Sequence, residues 1–435
     1  MTTITAVGVR ARPGVLPAAV PAGLLLIGVP LLRPGVFGEV AAPAGLALAL
    51  AAGVAALVRR ERVRPFPVPA VTALAGLLCL ASLYLVVRGV LVGPAQRTRS
   101  EFQDFALTMG TVLAAALALA DPGTRRALGR GFVLLLAGIG LSWLVTAAVW
   151  SVAGVGVGEI GSVVVGNAGA QPVYFPFTIS YSTSAVFGVD VPRLAGVGRE
   201  SGWMAMFCGA GWFLADAVGY RSVAIKALLV AGLVGTLSTA GFGVFVVVLA
   251  VDVFLRPRGP IGLRGMVRQL AGLAAIGGAM WLAVAAPVLG LSAKQSSNEA
   301  SVQERSDATA AGLRALLSGH PWGGLGTETQ AGVNLVSDIA VSGIVFVVLV
   351  AATLLVPPLL AGRTGPHRGA AVALVVFLTL LTSQPAAAST WAFLVVAVAL
   401  ACDALTETER EAPGSPALAP IHRRLAGARR KGRPA

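Results

Sequence analysis

Residues 291–344 read LSAKQSSNEASVQERSDATAAGLRALLSGHPWGGLGTETQAGVNLVSDIAVSGI, one of two long polar interruptions in an otherwise almost continuously apolar chain. The stretch carries the marks of a folded piece. Ser301 and Glu304 have capping-box spacing, in which each side chain satisfies a free backbone N–H at a helix start. Gly319 and Pro321 supply a stop. Between them Val302, Thr309, Leu313 and Leu316 share one face, while Glu304, Asp307, Arg314 and Ser318 follow 3/4 spacing on another. Such an amphipathic helix between two apolar spans lies along a bilayer surface with its charges in water. A solvated connector without chemistry is the plainer alternative, although loops of this length are usually functional or disordered.

Working outward, composition sets the class. The chain has 435 residues, 56% hydrophobic and only 12% charged, with a mean hydropathy of +0.83. A soluble domain carries roughly a quarter charged residues, so the expectation is an integral membrane protein. The net charge of +14 raises nucleic acid as a partner, and the placement of the charges argues against it. Cys79, Cys208 and Cys402 lie inside apolar stretches without metal-ligand spacing and read as buried small hydrophobes. No short apolar core with a small-residue cleavage site opens the chain, so residues 15–32 read as a retained first span.

At roughly 20 apolar residues per crossing, about twelve spans fit: 15–32, 40–58, 68–92, 102–120, 131–154, 201–219, 222–238, 240–255, 269–290, 333–358, 370–384 and 390–405. The seventh and eighth share one apolar run broken at Leu237-Ser238-Thr239-Ala240-Gly241, either a tight hairpin or a single irregular passage. The expected fold is therefore all-α: a single transmembrane domain over 1–405 with two long outer loops, 155–200 and 291–332. Residues 406–435 read as a basic, disordered cytoplasmic tail.

Orientation follows from the excess of Lys and Arg on the cytoplasmic side. With both termini inside, most of the 33 basic residues fall on inner segments: Arg10, Arg12, Arg59, Arg60, Arg62, Arg64, Arg125, Arg126, Arg130, Arg221, Lys226, the group Arg256–Arg268, Arg363, Arg368 and those after Thr406. The high net charge is then membrane topology plus attraction to anionic lipid. The exceptions are Arg33, Arg88, Arg97, Arg99, Arg193, Arg199, Lys294, Arg305 and Arg314. Arginine offers a rigid fork of donors matched to phosphate oxygens and stays charged when partly desolvated. Outer arginines flanking spans therefore suit a lipid-linked phosphate or pyrophosphate; salt bridges to Glu200, Glu304 or Asp307 are the ordinary alternative.

The loop 155–200 supplies the other half of a candidate site. Gln171–Tyr181 is aromatic and holds Tyr174 and Tyr181, two of the chain's four Tyr. These rings either stack on sugar faces or form the interfacial belt usual for membrane proteins. Arg193-Leu-Ala-Gly-Val-Gly-Arg199-Glu200-Ser-Gly-Trp203 follows. Glu200 could accept a proton from an incoming hydroxyl, orient an Arg, or sit favourably at a helix N-terminus.

These residues carry a resemblance to the O-antigen ligase and O-antigen polymerase family of bacterial envelope glycan assembly. Members have about a dozen spans, arginine-bearing outer loops and a late outer loop ending in His-Pro-x-x-Gly-x-Gly. This chain shows His320-Pro321-Trp322-Gly323-Gly324-Leu325-Gly326, shifted by one residue, then Asn334 and Ser342-Gly343-Ile344. Arg193 through Trp203 is similar to the family's Arg-x-x-Gly…Glu-x-Gly segment, and Leu237-Ser238-Thr239 fits its Ser/Thr-rich turn. The likeness covers roughly residues 130–400. Two departures point from ligase toward polymerase. Val333 stands where ligases carry a His before the Asn, and Ala240-Gly241 follow Thr239 in place of a Ser-Arg.

What the resemblance implies is metal-independent glycosyl transfer, without a cofactor, at the outer face of the cytoplasmic (inner) membrane. A polyprenyl-pyrophosphate-linked oligosaccharide is the donor and an acceptor glycan the second substrate. Arg193, Arg199, Arg305 and Arg314 would neutralise the departing pyrophosphate, Glu200 would assist the acceptor hydroxyl, and Tyr174 and Tyr181 would contact sugar. His320, beside Pro321 in a turn, reads as structural. A secondary transporter or lipid-linked glycan flippase remains open, with Asp216 its best buried charge. So do a peptidoglycan polymerase and a non-catalytic assembly component.

Overall fold

A computed structural model describes residues 16–60, 68–92, 95–165, 169–186, 189–255, 299–318, 333–360, 368–386 and 389–411, with a few single positions between 266 and 278. The helices are α1 (Ala19–Gly28), extended by a 3-10 turn to Leu31, α2 (Gly38–Arg60), α3 (Pro69–Val92), α4 (Ala95–Leu119) and α5 (Pro122–Ala153). Four strands follow: β1 (Glu159–Val164), β2 (Ala170–Tyr174), β3 (Thr178–Val186) and β4 (Val189–Leu194). Then come α6 (Ser201–Ala217), α7 (Val223–Gly235), α8 (Thr239–Leu255), α9 (Glu299–Leu317), α10 (Asp338–Ser342), α11 (Ile344–Leu360), α12 (Arg368–Thr382) and α13 (Thr390–Glu411).

Among the described residues, Val40–Arg59, Pro69–Leu91 and Pro122–Ala153 are long and apolar enough to cross a membrane. Shorter apolar helices cover Ala19–Leu31, Ala106–Leu119, Val223–Gly235, Thr239–Val253, Ile344–Leu360, Arg368–Thr382 and Thr390–Ala404. The apolar run over 222–255 is a pair of helices joined by a short turn, in which Leu237 takes a positive φ of 48°. The expected span 269–290 lies almost wholly outside the described residues, as do the tail beyond 411 and the motif His320–Gly326.

The all-α expectation needs one correction. The loop 155–200 folds into an antiparallel meander in the order β1-β2-β3-β4. Its signal is the period-2 run Thr178-Ile-Ser-Tyr-Ser-Thr-Ser-Ala-Val186, β-branched and aromatic residues alternating with Ser, which is strand chemistry. Trp143 on α5 donates its indole N–H to the Pro192 carbonyl at 2.8 Å, and Ser142 and Thr146 bond to Thr178, so the sheet is seated on one face of α5.

The core runs through the bundle centre. Phe132 stacks on Trp391 at 6.0 Å and meets Phe207 edge-on at 6.0 Å, and all three rings are buried. Residues 34–36 form a short seam with 197–199: Val36 N donates to Val197 O and Arg199 N to Pro34 O, with a bridge between Gly35 and Gly198. Trp391 N donates to Arg33 O at 3.0 Å, which ties the first connection, the strand region and the last helix together. The bundle thus has a sheet end and an opposite end.

The helix read in 291–344 exists, with a different start and a different buried face. It begins at Glu299, so Ser301 lies inside it and not at its cap; the proposed stop at Gly319 and Pro321 falls outside the described residues. Leu313 and Leu316 are exposed, whereas Ala308, Gly312 and Ala315 face inward. The reason is backbone proximity. A Cβ on Gly312 would collide with the Val336 carbonyl oxygen, so small residues let α9 approach residues 334–340 where leucines cannot. The expected span 333–358 is also divided: α10 ends at Gly343, whose φ of +88° breaks the helix before α11 begins.

Candidate functional site

The site is built around Arg193 at the sheet end. The register between β3 and β4 pairs Ser180 with Leu194 and Ser182 with Arg193, leaving Tyr181 as the extra residue of a bulge. Bulges re-aim side chains. This one sets the Tyr181 ring against the guanidinium of Arg193, 5.6 Å from ring centroid to Cζ, a cation–π arrangement. Arg193 Nε donates to the Thr236 carbonyl at 3.1 Å, where α7 ends and its last carbonyls need donors. Among the described residues that bond uses one of the five N–H groups of the guanidinium. The four on its two terminal nitrogens make no hydrogen bond among the described residues.

Burial pushes the Arg193 pKa down. The Tyr181 ring opposes that shift, the Arg305 guanidinium adds to it, and Glu200 opposes it. Four of the residues singled out from sequence, Arg193, Tyr181, Arg305 and Glu200, are thus gathered from β3, β4, the start of α6 and α9. Glu200 is half-buried at the N-cap position of α6 and makes no capping bond with its side chain.

Arg305 reaches the group because α9 is latched in place. Thr309 Oγ1 donates to the Arg305 carbonyl at 2.7 Å and accepts from Asn334 Nδ2 at 2.9 Å. Asn334 Oδ1 in turn accepts from Ser337 N at 2.8 Å. The Asn that carried part of the family likeness therefore holds α9 at Thr309, one helical turn from Arg305.

Of the other sequence-nominated residues, Arg314 and Tyr174 stand elsewhere. Arg314 is exposed and donates to its own helix at Ala310 O, 3.3 Å. Nine residues at about 100° each put it on the face opposite Arg305. Tyr174 packs edge-on against Trp150 at 4.8 Å and is buried; burial pushes its phenol pKa up, with a further push from Glu159. Arg199 lies on the 34–36 seam, its carbonyl accepting from Gln171 Nε2 at 3.5 Å. Arg33, another of the exceptional arginines, pairs with Asp104 at 2.8 Å.

Sequence reasoning missed Asp338. This carboxyl is fully buried at the sheet end, where it accepts from Ala386 N at 3.3 Å. Burial pushes it up to about 7, against the Ala386 hydrogen bond. An Asp at the first position of a five-residue helix leaves no periodic trace in sequence. Thr236, whose contribution is a main-chain carbonyl, is equally invisible. Among the described residues no group of three or more His, Cys, Asp or Glu side chains stands together as a metal site.

At the opposite end the charges are paired. Asp216 meets Lys226 at 2.5 Å and Arg368 at 3.2 Å, Arg368 meets Asp252 at 2.9 Å, and Arg59 meets Asp121 at 3.0 Å. Asp216, the charge that favoured transport, is thus neutralised at a helix end. No protein-family model matches this chain, and no curated protein matches it either.

Proposed function

We propose that this protein is a polytopic membrane glycosyltransferase that polymerises or transfers polyprenyl-pyrophosphate-linked glycan at the outer face of the cytoplasmic membrane. In this reading about twelve spans cross the bilayer, the sheet end faces outward and both termini lie inside. One observation carries it: Arg193 and Arg305, from loops more than a hundred residues apart in sequence, come close enough for one to depress the pKa of the other. Like charges gathered on a partly buried surface repel, and a dianionic leaving group relieves that repulsion. The mechanism follows. Arg193, held by Thr236 and Tyr181, and Arg305, held through Thr309 and Asn334, take up the charge that develops on the pyrophosphate as the glycosidic bond to it breaks. Glu200 stands beside them to receive the proton of the attacking acceptor hydroxyl.

The test uses purified full-length protein in lipid vesicles with a polyprenyl-pyrophosphate-linked oligosaccharide. Lengthened lipid-linked product is expected from the wild type, with loss of product in Arg193→Ala and Arg305→Ala. Movement of the lipid-linked glycan across the bilayer without a new glycosidic bond would establish the transporter or flippase reading instead.

A further inference from the structure

The β2–β3 turn, Phe175-Pro176-Phe177, takes no part in the arginine group, yet it shows two aromatic rings to the surroundings. Phe175 and Phe177 are each 56% exposed. The turn is firmly held. Thr146 Oγ1 donates to Phe175 O at 2.8 Å, Phe177 N donates to Ser142 Oγ at 3.2 Å, and Phe175 N donates to Gly158 O at 2.8 Å. Large apolar groups displayed together on an ordered surface mark an interaction site.

Its height on α5 identifies the partner. Arg125, near the start of α5, belongs to the opposite end, where its Nη1 donates to Ala401 O. Thr146 is about 21 residues further along, so ~31 Å away at 1.5 Å per residue. That is the thickness of a bilayer's hydrocarbon layer, about 30 Å. A helix with its basic residues at one boundary therefore holds the turn at the other. The lipid-facing character of α5 leads to the same place: Leu134, Leu141 and Leu144 are all exposed along it, and Val155 and Ile160 continue the apolar surface beside the turn.

The geometry points to the Phe175–Phe177 turn as an anchor seated in the outer leaflet, where phospholipid headgroups meet the first acyl carbons. Aromatic and aliphatic side chains favour that boundary. The anchor sets the height of the arginine group as well. Trp143, adjacent to Ser142, holds Pro192, so Arg193 and the turn are tied to the same stretch of α5. The inference rests on the membrane reading above and is independent of glycosyl transfer.

The experiment places an environment-sensitive fluorophore on one introduced cysteine at a time in the full chain with Cys79→Ser, whose remaining Cys208 and Cys402 are buried, reconstituted in phosphatidylcholine vesicles. The sites are Phe177→Cys, with Leu141→Cys as the lipid reference and Thr183→Cys, exposed on β3, as the water reference. Only variants with wild-type elution and circular dichroism are read, with Phe175→Cys replacing Phe177→Cys if the latter misfolds. The turn label is expected to be quenched several-fold more by shallow spin-labelled acyl chains than the Thr183 label, and less by aqueous iodide. Quenching by iodide as strong as at Thr183 overturns the anchor, and so does protection from both quenchers, which signals that the turn is covered by a second copy of this chain. If the Leu141 label also escapes the lipid quencher, the membrane reading fails with it; if Leu141 is quenched and Phe177 is not, the anchor alone fails.

Discussion

The two ends of the bundle handle charge in opposite ways. At one, Asp216, Lys226, Arg368 and Asp252 form a chain of ion pairs that joins α6, α7, α8 and α12. At the other, Arg193 faces a second guanidinium and an aromatic ring, with Glu200 as the acidic neighbour that acts on it. The first arrangement is complete in itself, since each cation has its anion and the group ties helices together. In the proposed function the second is completed by an incoming anion. Arg33, paired with Asp104, shows that the sheet end can neutralise an arginine where structure needs it. The unpaired character of the Arg193 group is therefore a local property and not a feature of that whole surface.

The sharpest way to break this contrast is a pair of variants read two ways. Arg193→Ala is expected to lower glycan elongation by about 10²–10³-fold, the usual loss on removing a donor from a site of developing negative charge. Its unfolding midpoint should fall by less than that of Arg368→Ala, since what is lost is the bond to the Thr236 carbonyl and the contact with the Tyr181 ring. Arg193→Lys recovers little, because an ammonium lacks the fork geometry and cannot reach two phosphate oxygens in the same plane. Arg368→Ala should do the reverse. It takes a cation from Asp252 and leaves Asp216 to Lys226 alone, costing about 3 kcal/mol of stability, while binding of inorganic pyrophosphate by folded protein is retained. Equal effects of both variants on stability and binding would erase the distinction.

Asp338 provides a pH-dependent test at the sheet end. The folded protein keeps this proton up to about pH 7, whereas an unfolded chain releases it near pH 4. Between those values the folded state binds more protons, so stability falls as pH rises. Asp338→Asn removes the effect and can still accept from Ala386 N. Its advantage over the wild type should be absent at pH 4 and grow toward pH 7, by on the order of 1 kcal/mol per pH unit. A variant less stable than the wild type at pH 8 would mean that the carboxylate is needed as an anion.

Smaller effects sharpen the picture. Asn334→Ala unlatches α9 from the chain that follows it and leaves Ser337 N without its acceptor. About 1–3 kcal/mol of stability is expected to go, together with weaker pyrophosphate binding, because Arg305 loses its fixed place. Arg314→Ala, on the far face of the same helix, should change stability by no more than about 0.5 kcal/mol and leave binding intact. Titration calorimetry on the two variants separates the faces of α9.

Much of this was legible in the sequence and some of it could not be. Hydropathy marks where the helices are, because long apolar runs do not depend on what they pack against. The polar helix in 299–317 was visible from its periodicity, but neither its start nor its buried side was. Leucines suggested one face, while close backbone approach at Gly312 selected another, and no periodicity encodes where Val336 will be. The alternation in Thr178–Val186 carries the meander, but it is a short signal inside a chain of long apolar helical runs. Arg193, Glu200 and Arg305 stood out by chemistry, as cations and an acid in loops, whereas the bulge that turns Tyr181 toward Arg193 is a property of strand register. Tyr174 and Arg314 had the same residue types as the site members and the wrong direction in space, which composition cannot supply.

The bond from Trp391 N to the carbonyl of Arg33, beside the Gly35–Gly198 bridge, has a consequence for biosynthesis. An early connection is fastened by α13, a much later helix, and the loop bearing Arg193 leans on that fastening. A ribosome that has produced everything up to α12 has released every member of the arginine group, yet the scaffold beneath them is still open. Competence for anion capture should thus switch on late, when the final helix threads in, and a truncated chain that keeps all four residues should remain inert.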